Sequence, residues 1–267
     1  MTLPKTLWLI GCGNMAGAML RRWVAAGTVR GADVFVLNRR EQDLPEGVRQ
    51  GRVLPQGALP DAVMLGVKPQ QIDEVAGQIA GRIAGVPLLI SILAGADEAA
   101  LAARFEARAI VRAMPNLPVE IGMGVVALHS EGASADARAQ AQALMAPLGL
   151  VEWVEAVHFA VVGALAGSGP AFVYRFVDAL AAGGAALGLP AEQALRLALA
   201  TAEGGALLAA GSTDTPGMLA DKVASPGGST RAGLNVLDAD DALIRLITET
   251  LAASVRRDAE MAAAARG

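Results

Sequence analysis

Leu7-Trp8-Leu9-Ile10-Gly11-Cys12-Gly13-Asn14-Met15-Ala16 decides how the first half of this chain folds. Leu7–Ile10 is a short apolar run of strand type, and helical spacing takes over through Met15, Met19, Leu20, Trp23 and Val24. Between them Gly11, Gly13 and Ala16 fall on the G-x-G-x-x-G/A pattern. The first glycine makes a tight turn, the second lets backbone approach a pyrophosphate, and the small third residue lets helix and strand pack closely. Strand, glycine turn and helix in that order predict a dinucleotide-binding unit, with Cys12 as a small filler. The same letters after Lys5 resemble a secretion signal with a lipid-accepting cysteine. Their apolar core is shorter than the roughly 7–15 residues such a signal needs.

Further strands are predicted at Val34–Leu37, Ala62–Val67, Pro87–Ile92, Ala109–Val111 and Met123–Ala127. Helical patterns at Ile72–Ile79, Asp97–Phe105 and Asp136–Met145 separate most of them. This alternation predicts an α/β fold with a Rossmann-type, doubly wound parallel sheet. Ligands in such sheets bind beyond the carboxyl ends of the strands. Val67-Lys68-Pro69, Ala94-Gly95 and Met114-Pro115-Asn116 all fall there. Val34–Leu37 ends in Asn38-Arg39-Arg40, where an NAD enzyme usually places an acidic residue on the ribose. Asn38 removes that charge, and Arg39 or Arg40 can face a 2′-phosphate. NADPH is the expected cofactor, with NADH weaker.

The chain has 267 residues, enough for two domains, and a formal charge of −4 with no basic stripe. These features exclude a nucleic-acid partner. One cysteine excludes a disulfide framework and a multi-cysteine metal site, and no metal is expected. His129 and His158 are far apart and read as packed or solvent-facing rings. Mean hydropathy is high, at +0.44. From Val157 to Ala220 only Arg175, Asp178, Glu192, Arg196, Glu203 and Asp214 carry charge, and no strand is evident. Helices this apolar must bury their faces against each other or a second subunit. Val157–Tyr174 carries no Asp, Glu, Lys or Arg, but Gly167-Ser168-Gly169-Pro170 is expected to interrupt it, which argues against a membrane span. The domains are therefore read as 1–156, dinucleotide-binding, and 157–267, helical and dimerising. Ala239–Ala265 is a final long helix, and the protein is expected to be cytoplasmic.

Within the helical half, Ser225-Pro226-Gly227-Gly228-Ser229-Thr230 forces a turn and frees backbone N–H groups. Ser229 or Thr230 is expected to cap the helix running through Leu237. Bare amides, a positive dipole end and hydroxyls suit a small carboxylate.

Taken together, the chain resembles the pyrroline-5-carboxylate reductase family over nearly its whole length. The resemblance rests on Gly11-Cys12-Gly13-Asn14-Met15-Ala16, Val67-Lys68-Pro69-Gln70, Arg112-Ala113-Met114-Pro115-Asn116, Gly167-Ser168-Gly169-Pro170-Ala171 and the Ser225–Thr230 stretch. It implies that Ile10, Gly11, Cys12, Gly13, Asn14 and Met15, with Gly66, Val67, Lys68 and Pro69, contact the cofactor. Asn38, Arg39 and Ala94 complete the expected cofactor site. It also implies that Gly227, Gly228, Ser229 and Thr230 hold the substrate, with Ser168 and Asn116 as further contacts. Thr230 and Ser225 stand nearest the chemistry. A homodimer through the helical half is implied, within larger rings of dimers in the family. The chain departs from the family pattern at Ala166, where serine is common, at Leu117, where threonine usually follows, and in the short segment Gly51–Pro60.

The implied reaction reduces the cyclic imine 1-pyrroline-5-carboxylate to L-proline. A protonated imine is already an electrophile, which fits a site without an evident His, Cys or paired carboxylate. One rival is a hydroxyacid dehydrogenase on the same two-domain plan, which needs a proton donor and would use Lys222. Another is a non-catalytic NADPH sensor.

Overall fold

The computed structural model describes residues 3–264. It divides into two compact units: residues up to Ser168 together with those from Ser254 onward, and Gly169–Ala253.

The first unit is built on eight strands: β1 (Leu7–Ile10), β2 (Val34–Leu37), β3 (Arg49–Gly51), β4 (Ala62–Leu65), β5 (Leu88–Ser91), β6 (Ile110–Pro115), β7 (Gly124–His129) and β8 (Gly149–Trp153). Their order in the sheet is β3-β2-β1-β4-β5-β6-β7-β8. The chain leaves β1 toward one edge and returns to β4 on its other side, so the switch in direction falls between β1 and β4. Side chains alternate across β1: Leu7 and Leu9 enter one core, Trp8 and Ile10 the other. Helices α1 (Asn14–Ala25) and α4 (Ala135–Met145) cover the first face. Helices α2 (Ile72–Ile83) and α3 (Glu98–Ala102) cover the second. A sheet buried on both faces explains why these strands read as unbroken apolar runs.

The sheet is not wholly parallel. β6 and β7 run antiparallel, pairing Arg112 with His129 and Pro115 with Val126. Their connection contains only a 3₁₀ turn at Leu117–Ile121, too short for the crossover that a parallel pair requires. β8 then pairs parallel with β7, joining Gly124 to Gly149. Gly149 has φ +135°, and a Cβ there would lie 2.1 Å from the Gly124 carbonyl oxygen, so only glycine lets β8 start in this register.

The second unit holds α6 (Gly169–Ala186), α7 (Ala191–Ala210), α8 (Pro216–Val223), α9 (Ser229–Asp238) and the start of α10 (Ala242–Ala264). It follows α5 (Phe159–Val162) of the first unit. The expected interruption at Gly167–Pro170 takes another form: a π-helical turn at Gly163–Gly167 carries the helical path onward. Ala156–Ala186 is thus long and apolar enough to cross a membrane by length and composition, with mean hydropathy 1.6. The final helix starts later than expected. A 3₁₀ turn at Ala239–Asp241 precedes it, with Asp240 and Asp241 at positive φ, a conformation a short polar side chain tolerates. The expected end at Ala265 lies outside the described residues.

Trp23 of α1 is fully buried and its indole donates to the Leu144 carbonyl of α4 at 2.7 Å. Trp23→Phe removes the donor and opens a small void. Equilibrium denaturation should show a loss of about 2–3 kcal/mol.

Candidate functional site

In the first unit the β1–α1 loop sits at the sheet's switch point. Gly11 has φ +83°, and a Cβ there would lie 2.7 Å from Val67 Cγ1 and 3.1 Å from the Gly66 oxygen. A Cβ on Gly66 would in turn meet Ala16 Cβ at 3.0 Å. Gly11 N–H donates to Leu37 at 2.9 Å, and Gly66 N–H to Ile10 at 2.9 Å. The loops of residues 11–13 and 66–69 are thereby pressed together. Gly13 differs, because a Cβ built there meets nothing within 4 Å. No packing inside the protein calls for glycine at that position.

Gly13 is the N-cap of α1, with no side-chain cap and no acidic residue in the first turn. Its leading N–H groups therefore meet a positive helix end without an internal anion, the arrangement that suits a phosphate. A cleft of about 320 Å³ opens over them, lined by Gly13, Asn14, Arg21, Asp43 and Leu117 among others. Cys12 is buried and its thiol is pushed up to about 11 by burial, with Arg21 opposing, so it stays a neutral filler.

At the end of β2, Asn38 Oδ1 accepts the Cys12 N–H at 3.0 Å, while its buried Nδ2 lacks a partner. A buried donor of this kind calls for an acceptor from outside the chain. A second cleft, of about 290 Å³, is lined by Asn38, Arg40, Glu41, Gln50, Gly51 and Arg52. Arg39 is ion-paired with Glu74 of α2. Arg40 and Arg52 have no ion-pair partner among the described residues. Arg52 escapes sequence reasoning because the three-residue β3 before it, Arg-Gln-Gly, shows no apolar alternation. Its only signal is a second arginine beside Arg49. The clefts, the uncapped helix end and the orphaned Asn38 donor fit a phosphorylated dinucleotide.

Lys68 is exposed and its N–H donates to Gln71 at the head of the 3₁₀ turn Pro69–Gln71. Ala94 is exposed just beyond β5. Asn116 is buried and both ends of its carboxamide are occupied. Oδ1 accepts Val125 N–H at 2.8 Å, and Nδ2 donates to the Ala166 carbonyl at 2.9 Å. Ser168 Oγ lies 3.4 Å from Ser254 Oγ. His129 is packed, its Nδ1 2.9 Å from the Val154 oxygen and its ring edge-on to Phe159, whereas His158 is exposed.

In the second unit the Ser225–Thr230 turn joins α8 to α9. Gly228 N–H donates to the Ser225 carbonyl at 3.0 Å, and Gly227 has φ +71°. The expected cap is displaced. Gly228, not Ser229 or Thr230, is the extended N-cap residue, with no side-chain cap and no acid in the first turn of α9. Ser229 and Thr230 are already helical, so their side chains do not cap the helix start. The hydroxyls of Ser225, Ser229 and Thr230 make no hydrogen bond among the described residues, and all three residues are exposed. Arg231 pairs with Asp221 at 2.6 Å across the turn, and Lys222 pairs with Asp214. The turn therefore presents the bare amides of Ser229 and Thr230 and three uncommitted hydroxyls, with the Gly228 amide committed to Ser225 and Lys222 held elsewhere.

Residues 6–95 match a family model described as NADP oxidoreductase, coenzyme F420-dependent, and residues 156–261 match pyrroline-5-carboxylate reductase dimerisation. A pyrroline-5-carboxylate reductase of Synechocystis is 38% identical over 96% of this chain and 97% of its own length. The solved structure of a pyrroline-5-carboxylate reductase from Coxiella burnetii is 32% identical with TM-score 0.88, covering 97% of this chain and 98% of that one. A Plasmodium falciparum pyrroline carboxylate reductase solved with NADP bound shares the fold, at TM-score 0.83 and 22% identity over 98% of this chain and all of that one. Full-length similarity at this level, on a sheet and helical unit of the same plan, settles the family: the chain belongs to the pyrroline-5-carboxylate reductases.

Proposed function

We propose that this protein reduces 1-pyrroline-5-carboxylate to L-proline with NADPH. The observation that supports the reading is the head of α9, where an uncapped helix end and unused Ser225, Ser229 and Thr230 hydroxyls suit a small carboxylate. The NADP description of the matched residues 6–95, the uncapped α1 and the unpartnered Asn38 donor support the cofactor. NADPH supplies the hydride when bound. The chain's task is orientation, since the protonated imine needs no strong acid. Amides of Ser229 and Thr230, the first helical residues of α9, hold the carboxylate, while the Gly228 N–H closes the turn on Ser225, and the Thr230 hydroxyl accepts a hydrogen bond from the ring N–H. Orientation of this kind accounts for several kcal/mol of a barrier.

The functional division at residues 156 and 157 follows the matched dimerisation module, which begins at residue 156. The helical half forms a homodimer, and dimers assemble into a larger ring in the aqueous cytoplasm. The long apolar run through Ala186 is then covered by a second copy instead of lipid. Arg40 and Arg52, with Asn38, receive the 2′-phosphate, and Arg39 contributes less because Glu74 holds it. Gly11, Gly13, Asn14 and the Gly66–Pro69 loop line the rest of the cofactor's path.

Steady-state turnover with the imine, and with a keto acid as control, tests the reaction. Thr230→Ala should lower turnover about ten- to hundredfold with little change in cofactor affinity. Thr230→Ser should keep much of the activity, and Lys222→Ala should be tolerated. A dead Lys222→Ala beside an active Thr230→Ala would instead favour the hydroxyacid dehydrogenase.

Replacing Arg40 and Arg52 together by alanine should raise the NADPH Michaelis constant about tenfold or more and leave the NADH value nearly unchanged. Equal losses with both cofactors would place the phosphate elsewhere.

The two loop glycines should separate folding from binding. Gly11→Ala should cost about 2–3 kcal/mol in denaturation, through its positive φ and the contact with Val67. Gly13→Ala should melt like the parent yet lose NADPH affinity in a fluorescence titration, because its Cβ enters only the space left for the cofactor.

A further inference from the structure

We propose that Asn116 is a positioning residue that fixes Ser168 through the π turn Gly163–Gly167, and does not itself contact the imine. The inference rests on the reading of Ser168 as a substrate contact in the proposed reaction.

A carbonyl in an α-helix accepts from the N–H four residues later. For Ala166 that residue is Pro170, which has no N–H. An α-helical path at Ala166 would thus lack a donor, and in the π turn that takes its place Asn116 Nδ2 donates to the Ala166 carbonyl at 2.9 Å. The other end of the same carboxamide accepts Val125 N–H at 2.8 Å, so its orientation is fixed by β7. Asn116 is 6% exposed, so both bonds are largely screened from water.

Asn116 also follows directly on β6, whose Met114 packs against the same turn. A Cβ on Gly163 would lie 2.8 Å from Met114 Sδ, and one on Gly167 3.5 Å away. The glycines of the turn thus seat on Met114 while its carbonyl is tied to Asn116. The Ser168 N–H closes the turn on the Gly163 carbonyl at 2.9 Å, five residues back, and its hydroxyl lies 3.4 Å from Ser254 Oγ. A wide turn of this type is seldom stable alone and is often found at functional sites. Here β6 holds it from outside, and Ser168 is its first residue beyond. Met-Pro-Asn and Gly-Ser-Gly-Pro, separate motifs in the sequence, are one device.

The test uses the full-length enzyme with Asn116→Asp, Asn116→Leu, Ser168→Ala and the Asn116→Leu/Ser168→Ala double variant, each with NADPH and the imine. Asn116→Asp keeps the acceptor for Val125 and replaces only the donor to Ala166. It should raise the imine Michaelis constant about tenfold at neutral pH, as Asn116→Leu does, with the NADPH constant unchanged. The double variant should be no worse than Ser168→Ala. Imine binding by Asn116→Asp at the parent's level would overturn the proposal, as would multiplied losses in the double variant or an equal loss for NADPH. Ser168→Ala at parental affinity would remove the Ser168 contact and the proposal with it, while leaving the reductase assignment intact. Failure of the parent enzyme to reduce the imine would instead overturn the proposed function. A thermal melt of Asn116→Asp checks that the fold survives.

Discussion

The close approach of the β1–α1 loop to the β4 loop constrains everything around the first site. Gly11 and Val67, and Gly66 and Ala16, meet so tightly that a single added methyl group would lie 2.7–3.0 Å from its neighbour. Close packing of this order cannot be relieved by rotating a side chain, because the contacts at Gly66 include the Gly11 backbone oxygen. It fixes the start of α1 relative to the carboxyl ends of β1 and β4, and the cleft above Gly13 follows. A Cβ on Gly13, by contrast, would meet nothing within 4 Å. One glycine of the motif is thus demanded by packing within the fold, and the other is not.

The same device recurs in the helical unit with different chemistry. Gly13 and Gly228 are both extended N-cap residues without a side-chain cap, each before a helix whose first turn carries no acid. Either helix would gain from a Ser, Asp or Asn cap, by roughly a few tenths of a kcal/mol. Forgoing that stabilisation leaves amides for an external anion. At Gly13 the surroundings add an open cleft edged by Arg21, whose guanidinium is ion-paired with Glu120, and the cleft suits a pyrophosphate. At Gly228 they add Ser225, Ser229 and Thr230, whose hydroxyls suit a small polar ring.

Much of this was legible in the letters. β1 and β2 fall where their apolar runs predict, because strands buried on both faces leave an unbroken signal. Helices α2 and α4 fall within a few residues of the patterns at Ile72–Ile79 and Asp136–Met145. What was missed was half-covered or short. β3 is Arg-Gln-Gly at an edge, and β8 is a half-exposed Gly-Leu-Val-Glu-Trp. The extent of β6 was hidden because Arg112 breaks its apolar run, although the guanidinium stacks on Phe159 at 4.1 Å. The antiparallel turn of β7 was recoverable from the short Leu117–Ile121 connection. In the site, Gly-Gly-Ser-Thr reads as a capped start only if the hydroxyl residue precedes the helix, and here it is one position too late. Arg52 and the Asn116–Ala166 bond join residues whose nearness depends on the folded sheet, so no local pattern announces them.

The helical unit shows why site and assembly are bound together. Its own core is small: Val177, Ala181 and Ala198, with Ala202 packed against them. In the single chain Leu187, Leu208, Val223, Val236 and Ile244 lie open, Leu187 at 92% exposure. Burying side chains of this size is worth about 1.5–3 kcal/mol each, so a lone chain forfeits an amount comparable to the roughly 5–15 kcal/mol by which domains are stable. Matching residues 156–261 to a dimerisation module identifies the cover as a second copy. The consequence for the site lies in α8 and α9, neither of which has a buried residue in the single chain. The Ser225–Thr230 turn hangs between these two helices. Packing by a second copy on these helices would add to what the turn has of its own, the Gly228–Ser225 hydrogen bond and the Arg231–Asp221 ion pair.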